Sequence, residues 1–72
     1  MTNVIEELRS RRRRQPFEPF VIVLNDGRRF PVVRKFQFGF NEERVLVLDE
    51  RDLSNFFKPG DIAGFETLQP VG

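Results

Sequence analysis

The feature that most constrains the fold is a turn signal, Asn25-Asp26-Gly27, which lies between two apolar runs. Asp-Gly in this setting is the strongest short-range signal for a β-hairpin, because both central turn residues must tolerate a positive φ. The pattern predicts a first strand over Phe20–Leu24, a tight turn, and a second strand that begins at Arg28. A chain that continues with more short apolar runs favours a small antiparallel β structure.

The later apolar runs predict three further strands. The second strand runs to Val33, a third covers Arg44–Asp49, a fourth covers Leu53–Phe57, and a closing strand covers Ala63–Leu68. Between the last two, residues 58–61 predict one turn of 3₁₀ helix. Pro31 cannot donate to a ladder, so it must lie at an edge, a bulge or a bend. We therefore predict a mainly β fold, a five-stranded and strongly bent antiparallel small barrel over residues 20–68.

One helix is predicted before the strands, over residues 3–14. Asn3 is a good N-cap, and Glu6 three residues later completes a capping-box pattern. Pro16 ends the helix, because the residue before a proline is pushed out of the α region. Residues 69–72 are expected to form a frayed tail, and residues 1–72 to form a single domain.

Composition argues against catalysis. The 72 residues include nine Phe but no Trp, Tyr, Cys or His. Ser10 and Ser54 have no visible general-base partner, and no Cys/His metal site is possible. We expect no catalytic residue, no metal, no cofactor and no small-molecule substrate. The acidic turn over residues 49–52 is interpreted as a solvated turn. No apolar run is long enough to span a membrane and no secretory signal is recognisable, so we expect a cytoplasmic protein.

Basic charge is concentrated in the N-terminal part of the chain. Residues 1–40 carry nine basic and four acidic side chains, whereas residues 41–72 carry three basic and seven acidic ones. Arginine forks match phosphate geometry, so this part is a candidate nucleic-acid-binding surface. The alternative is that the helical arginines are solvated and complement the helix dipole. The candidate nucleic-acid-binding residues are Arg9, Arg11, Arg12, Arg13, Arg14, Arg28, Arg29, Arg34, Lys35 and Lys58.

The segment Lys35–Phe40 alternates between aromatic and other residues. In an extended conformation Phe36, Phe38 and Phe40 would share one face. The run looks like a fragment of the RNA-recognition signature, in which exposed rings stack on bases. The alternative is that these rings belong to the core of a short chain. The sequence leaves the two open.

The first and third predicted strands are apolar on both faces, and only one face fits inside a small barrel. The helix is expected to cover part of the rest. Apolar surface that stays exposed usually marks a partner surface, so we expect a homo-oligomer of unspecified size.

Three segments carry a resemblance to Sm-like proteins. They are Val21–Gly27 (VIVLNDG), Val45–Leu48 (VLVL), and Phe57-Lys58 followed by Ile62. The order of elements is similar to that of the bacterial Hfq-type RNA chaperone, a relative of SH3-like small barrels. That family's histidine after the lysine is replaced here by Pro59-Gly60-Asp61. The resemblance implies an Sm/SH3-like barrel and RNA binding.

A second resemblance is to a group of uncharacterised short bacterial proteins. These share an R-x-P-F-x-P-F segment, here Arg14–Phe20, before an L-x-D-G-R turn, here Leu24–Arg28. This likeness is closer than the first, but it implies no function.

Two functions remain from the sequence. The first is weak binding of single-stranded RNA or DNA through the basic helix, and RNA is preferred. The alternative is a protein-interaction or self-assembly module with no role in nucleic-acid binding.

Overall fold

The structure, a computed structural model, describes residues 3–68. It has one helix and two antiparallel three-stranded sheets, so the mainly β fold with an N-terminal helix is confirmed. The elements are α1 (Val4–Arg13), β1 (Phe20–Leu24), β2 (Arg29–Val32), a 3₁₀ turn at Lys35–Gln37, β3 (Phe38–Phe40), β4 (Val45–Leu48), β5 (Ser54–Phe57), a second 3₁₀ turn at Pro59–Asp61, and β6 (Ile62–Thr67). Sheet A has the order β2-β1-β6, and sheet B has the order β3-β4-β5.

The predicted hairpin joins β1 and β2, but its turn differs from the expected one. The Leu24 amide donates to the Arg28 carbonyl over 2.8 Å, and the Gly27 amide donates to the Leu24 carbonyl over 3.0 Å. Gly27 alone in this turn has a positive φ, of 94°. The expectation that both central residues need a positive φ was wrong, because a three-residue loop needs only one left-handed residue.

Six strands form instead of five, because the chain changes sheets between β2 and β3. β2 pairs only with β1, and β3 pairs with β4. The 3₁₀ turn between them breaks the two-residue alternation of an extended segment. The expectation that Phe36, Phe38 and Phe40 share one face was therefore wrong for Phe36, whereas the Phe38 and Phe40 rings stack with centres 6.0 Å apart. Phe38 is 3% exposed and lies in the core, whereas Phe36 is 84% exposed.

Pro31 lies in β2, at the edge of sheet A, as its missing amide requires. No closed barrel is found among residues 3–68, so barrel closure stays a prediction. The expected tail at residues 69–72 lies outside the described residues.

The helix packs against the core between the sheets through Ile5 and Leu8, both buried. Complete burial of a leucine such as Leu8 stabilises the fold by about 1.5–3 kcal/mol. The Asn3 side chain caps the helix by accepting from the Ile5 amide over 2.8 Å. Glu6 does not complete a capping box but pairs with Arg9. No helix within residues 3–68 has the length and apolar character needed to cross a bilayer.

Because the helix packs against the core, other groups cover the outward faces of the sheets. On sheet A, Arg29 of β2 lies opposite Val23, and Glu66 of β6 lies opposite Val21. The Arg29–Glu66 ion pair therefore crosses the outward face of β1. On sheet B, the outward face of β4 remains partly open.

Candidate functional site

A groove of about 840 Å³ lies between the edge of sheet A and the connection from β4 to β5. One side is formed by residues of β2, by Val33 and Arg34, and by the first 3₁₀ turn. The other side is formed by residues 47–53. Each side thus combines strand residues with the turn that follows, and such turns commonly carry binding residues.

Exposed apolar side chains are concentrated in this groove. Four large apolar side chains are exposed in residues 3–68, and three of them line it. Phe36 is 84% exposed, Leu53 57% and Val33 52%. The fourth, Phe56, lies outside the groove on the outward face of β5 and is 64% exposed. Single exposed apolar residues are ordinary, but a cluster in a concavity marks an interaction site.

The base of the groove is held by the side chain of Gln37. Its amide oxygen accepts from the Val33 amide over 2.8 Å. Its amide nitrogen donates to the Pro31 carbonyl over 2.8 Å and to the Leu48 carbonyl over 2.7 Å. One side chain thus links β2 of sheet A to β4 of sheet B. The two sides of the groove are fixed relative to each other at this point.

The opposite side is held by Asp49, whose carboxylate accepts from the backbone amides of Leu53 over 3.0 Å and Arg51 over 2.8 Å. The Asn55 side-chain amide also donates to it, over 3.3 Å. These N–H groups, that of Leu53 first, bind the charged form and hold the pKa of Asp49 below its usual value. Asp52 closes the turn in a left-handed conformation with a φ of 62°.

The two sides of the groove carry opposite charge. Arg34 and Lys35 lie on the first side, and no ion pair to either of them forms within residues 3–68. The Lys35 ammonium lies 5.8 Å from the centre of the Phe36 ring. The second side has three carboxylates and one guanidinium in sequence, over residues 49–52. The groove is therefore an apolar surface between a cationic and a net anionic side.

The two central arginines of the predicted basic helix pack on phenylalanine rings. The Arg11 guanidinium carbon lies 5.0 Å from the centre of the Phe20 ring and 5.3 Å from that of Phe65, both in sheet A. Positively charged guanidinium groups are attracted to ring faces at such distances.

Arg12 makes the equivalent contacts with sheet B. Its guanidinium carbon lies 4.8 Å from the Phe38 ring centre and 4.9 Å from that of Phe40. It also donates a hydrogen bond to the Phe38 carbonyl. The Nε atoms of Arg11 and Arg12 are both buried with no hydrogen-bond partner in the described chain. These two side chains attach the helix to the sheets and present little charge to solvent.

Four of the other eight candidate cations form ion pairs within the described chain. Arg9 pairs with Glu6 at 3.2 Å, Arg14 with Glu18 at 2.9 Å, and Arg28 with Asp26 at 2.7 Å, and Arg29 pairs with Glu66. Arg11 also lies 3.8 Å from Glu7. Four of the ten candidates have neither an ion pair nor a ring-packed guanidinium within the part described. They are Arg13, Arg34, Lys35 and Lys58.

Lys58 lies away from the groove, where it begins the second 3₁₀ turn and its backbone amide donates to Asp61 over 3.0 Å. Of the ten candidate cations, the groove brings together only Arg29, Arg34 and Lys35. The sequence analysis did not identify the groove or the role of Gln37. The one available signal was a polar amide within an aromatic run.

No protein-family model, curated protein or solved structure matches this chain. The resemblance to Sm-like proteins therefore stays a prediction, and the candidate site is defined by its geometry alone.

Proposed function

We propose that this chain is a non-enzymatic protein-interaction module that binds a short apolar segment in the groove between its two sheets. The observation that carries the proposal is the placement of Val33, Phe36 and Leu53 together in one concavity. Removing exposed apolar area from water is the dominant favourable term in most protein association. The charged sides would orient a segment that carries charges of both signs.

The placement of the arginines favours this function over nucleic-acid binding through the helix. Arg11 and Arg12 already pack against four phenylalanine rings. Arg9 and Arg14 have carboxylate partners of their own. A phosphate backbone would have to compete with each of these contacts. The carboxylates on one side of the groove would also repel phosphates.

Selection from a random peptide display library on the immobilised chain tests the proposal. We expect enriched peptides that share closely spaced apolar residues. The variant F36S/L53S should no longer bind these peptides, because it removes two exposed apolar side chains that line the groove and leaves the core unchanged. Phe56→Ser is the matched control, since it removes an exposed apolar residue outside the groove, and it should keep them. Failure to enrich any peptide, or equal loss in the control, would contradict the proposal.

A second candidate function is weak binding of single-stranded nucleic acid at the cationic side of the groove. The observation that favours it is the highly exposed Phe36 ring beside Arg34 and Lys35, which have no ion pair within residues 3–68. Bases can stack on such a ring while the cations bind phosphate. Fluorescence anisotropy at low salt with mixed-sequence RNA and DNA tests this function. The variant R34Q/K35Q should weaken binding and reduce its salt dependence.

We also propose that β2 and β3 are two halves of one strongly bent strand, which gives the five strands of an Sm/SH3-like barrel. The strand order supports this, because the first half pairs with β1 and the second half with β4. The Gln37 bonds lie where the ladder is interrupted. Proton–proton contacts measured by NMR between the two sheets at this corner test the proposal, and an absence of such contacts there would contradict it.

A further inference from the structure

The two sides of the groove carry opposite charge, so the groove is complementary in charge to a second copy of itself. A binding site for an unrelated peptide does not need this property. We propose that its occupant is a second copy of this chain, bound through the same groove around a two-fold axis. The inference rests on the proposed function and names its partner. It concerns the three exposed apolar residues Val33, Phe36 and Leu53 and the charges on either side of them.

A two-fold interface places the same surface patch on both subunits, so every feature of the patch must meet a complementary one. The cationic side, Arg34 and Lys35, would face the partner's acidic turn over residues 49–52. The same rotation places the partner's cations against this chain's acidic turn. Both pairs of charges are therefore satisfied at once. In the single chain, the described residues offer Arg34 and Lys35 no ion pair.

The apolar residues fit the same arrangement. Phe36 lines the groove and is 84% exposed, so its ring is accessible to a partner. In the dimer the Phe36 ring of each copy would enter the concavity of the other, against Val33 and Leu53. Aromatic side chains that fill a partner's pocket at the centre of an interface carry most of its binding energy. Gln37 and Asp49 already hold the two sides of the groove, so little ordering is needed on binding.

An interface confined to one groove of so small a chain lies at the low end of the size range for specific contacts. We therefore expect a dimer with a dissociation constant in the micromolar range rather than an obligate one. Sedimentation measured with interference optics from low micromolar to near-millimolar concentration tests this, because the chain has no Trp or Tyr for absorbance. A monomer throughout this range would overturn the inference. Species larger than a dimer would overturn the two-fold arrangement.

The apolar contact is tested by Phe36→Ser, with Phe56→Ser as the matched control. Both side chains are exposed, so both variants should remain folded by circular dichroism. We expect Phe36→Ser to weaken dimerisation by about tenfold or more and Phe56→Ser to leave it unchanged. An equal effect of both variants would place the interface on the outward face of sheet B and contradict the proposal.

The charge pairing is tested by a swap. Lys35→Glu and Glu50→Lys should each weaken the dimer, because each places like charges opposite one another. An equimolar mixture of the two single variants should recover a dimer. In it the introduced glutamate faces the introduced lysine, and the unchanged Lys35 and Glu50 face each other as in the wild type. Absence of recovery would contradict this arrangement. If peptides still bind in the groove but no dimer forms, only this inference fails; if neither occurs, the proposed function fails with it.

Discussion

The side-chain amide nitrogen of Gln37 donates to the backbone carbonyl of Leu48 over 2.7 Å, and this bond joins the two sheets of the fold. The same side chain accepts from Val33 and donates to Pro31 at the end of β2. The side chain of Gln37 therefore makes its hydrogen bonds at the break between β2 and β3. A continuous bent strand would have backbone ladder hydrogen bonds at this position.

Replacing Gln37 with alanine should destabilise the chain by about 2 kcal/mol, since three hydrogen bonds of modest net value are lost together. Gln37→Glu should destabilise at least as much at neutral pH, because it keeps the acceptor for Val33 but places a carboxylate oxygen against two carbonyl oxygens. Gln15→Ala is the control, at an exposed position. Urea denaturation followed by circular dichroism gives the free energies of unfolding. An unchanged midpoint for Gln37→Ala would show that this link does not hold the sheets.

Neighbouring helical arginines should differ sharply in their importance. Arg12→Ala removes the ring contacts with Phe38 and Phe40 and a hydrogen bond to sheet B, and should destabilise by about 1–2 kcal/mol. Arg13→Ala changes an exposed side chain at the next position and should be nearly neutral. Thermal melts of the two variants give the comparison. Equal losses of stability in the two variants would mean that the helical arginines act through their charge and not through packing on the phenylalanine rings.

Gly27→Val should destabilise by about 1 kcal/mol or more, because Gly27 has a φ of 94°. An added Cβ meets nothing within 4 Å there, so the penalty comes from the backbone conformation alone. Gly60→Ala is the control, since a Cβ at Gly60 is equally free of contacts and the φ there is not positive. If both variants have the melting temperature of the wild type, this account of the turn is wrong.

Stability should fall in acid because the pKa values of Asp49 and Asp26 are lowered in the folded state. Backbone amides bind both carboxylates, those of Leu53 and Arg51 at Asp49 and that of Arg28 at Asp26. A lowered folded pKa adds stability that is fully present above the usual value of 3.8 and is lost as pH falls through the folded value.

Melting temperatures measured from about pH 6 to about pH 2 test this acid dependence. The variant D26N/D49N should be less stable than the wild type at neutral pH and should lose less stability in acid. Parallel curves for the two proteins would contradict the assignment.

Local chemistry explains which elements were predictable from the sequence. Both β1 and the Pro59–Asp61 turn lie where they were predicted, because Gly and Pro act within a few residues. The break at Lys35–Gln37 was not predictable, since an alternating run fits a strand equally well. The 3₁₀ turn takes Phe36 out of the alternation, and the Gln37 side chain bonds to backbone groups of Pro31, Val33 and Leu48.

The candidate site depended even more on tertiary structure. The sequence shows a run of arginines, but only the fold shows that Arg11 and Arg12 pack on phenylalanine rings. Exposed apolar surface was expected on the outward faces of the first and third predicted strands, but the exposed side chains Leu53 and Phe36 lie on neither strand. The concentration of exposed apolar side chains in one groove follows from the corner between the sheets, and no local sequence pattern predicts that corner.

Arg11 and Arg12 are adjacent in the helix, yet Arg11 contacts only sheet A rings and Arg12 only sheet B rings. Neither sheet can move away from the other without breaking the contacts of one of these two residues. The helix end and the Gln37 side chain thus couple the sheets at two separate places. Two sheets that share one core and are coupled in this way should in consequence unfold in a single cooperative transition.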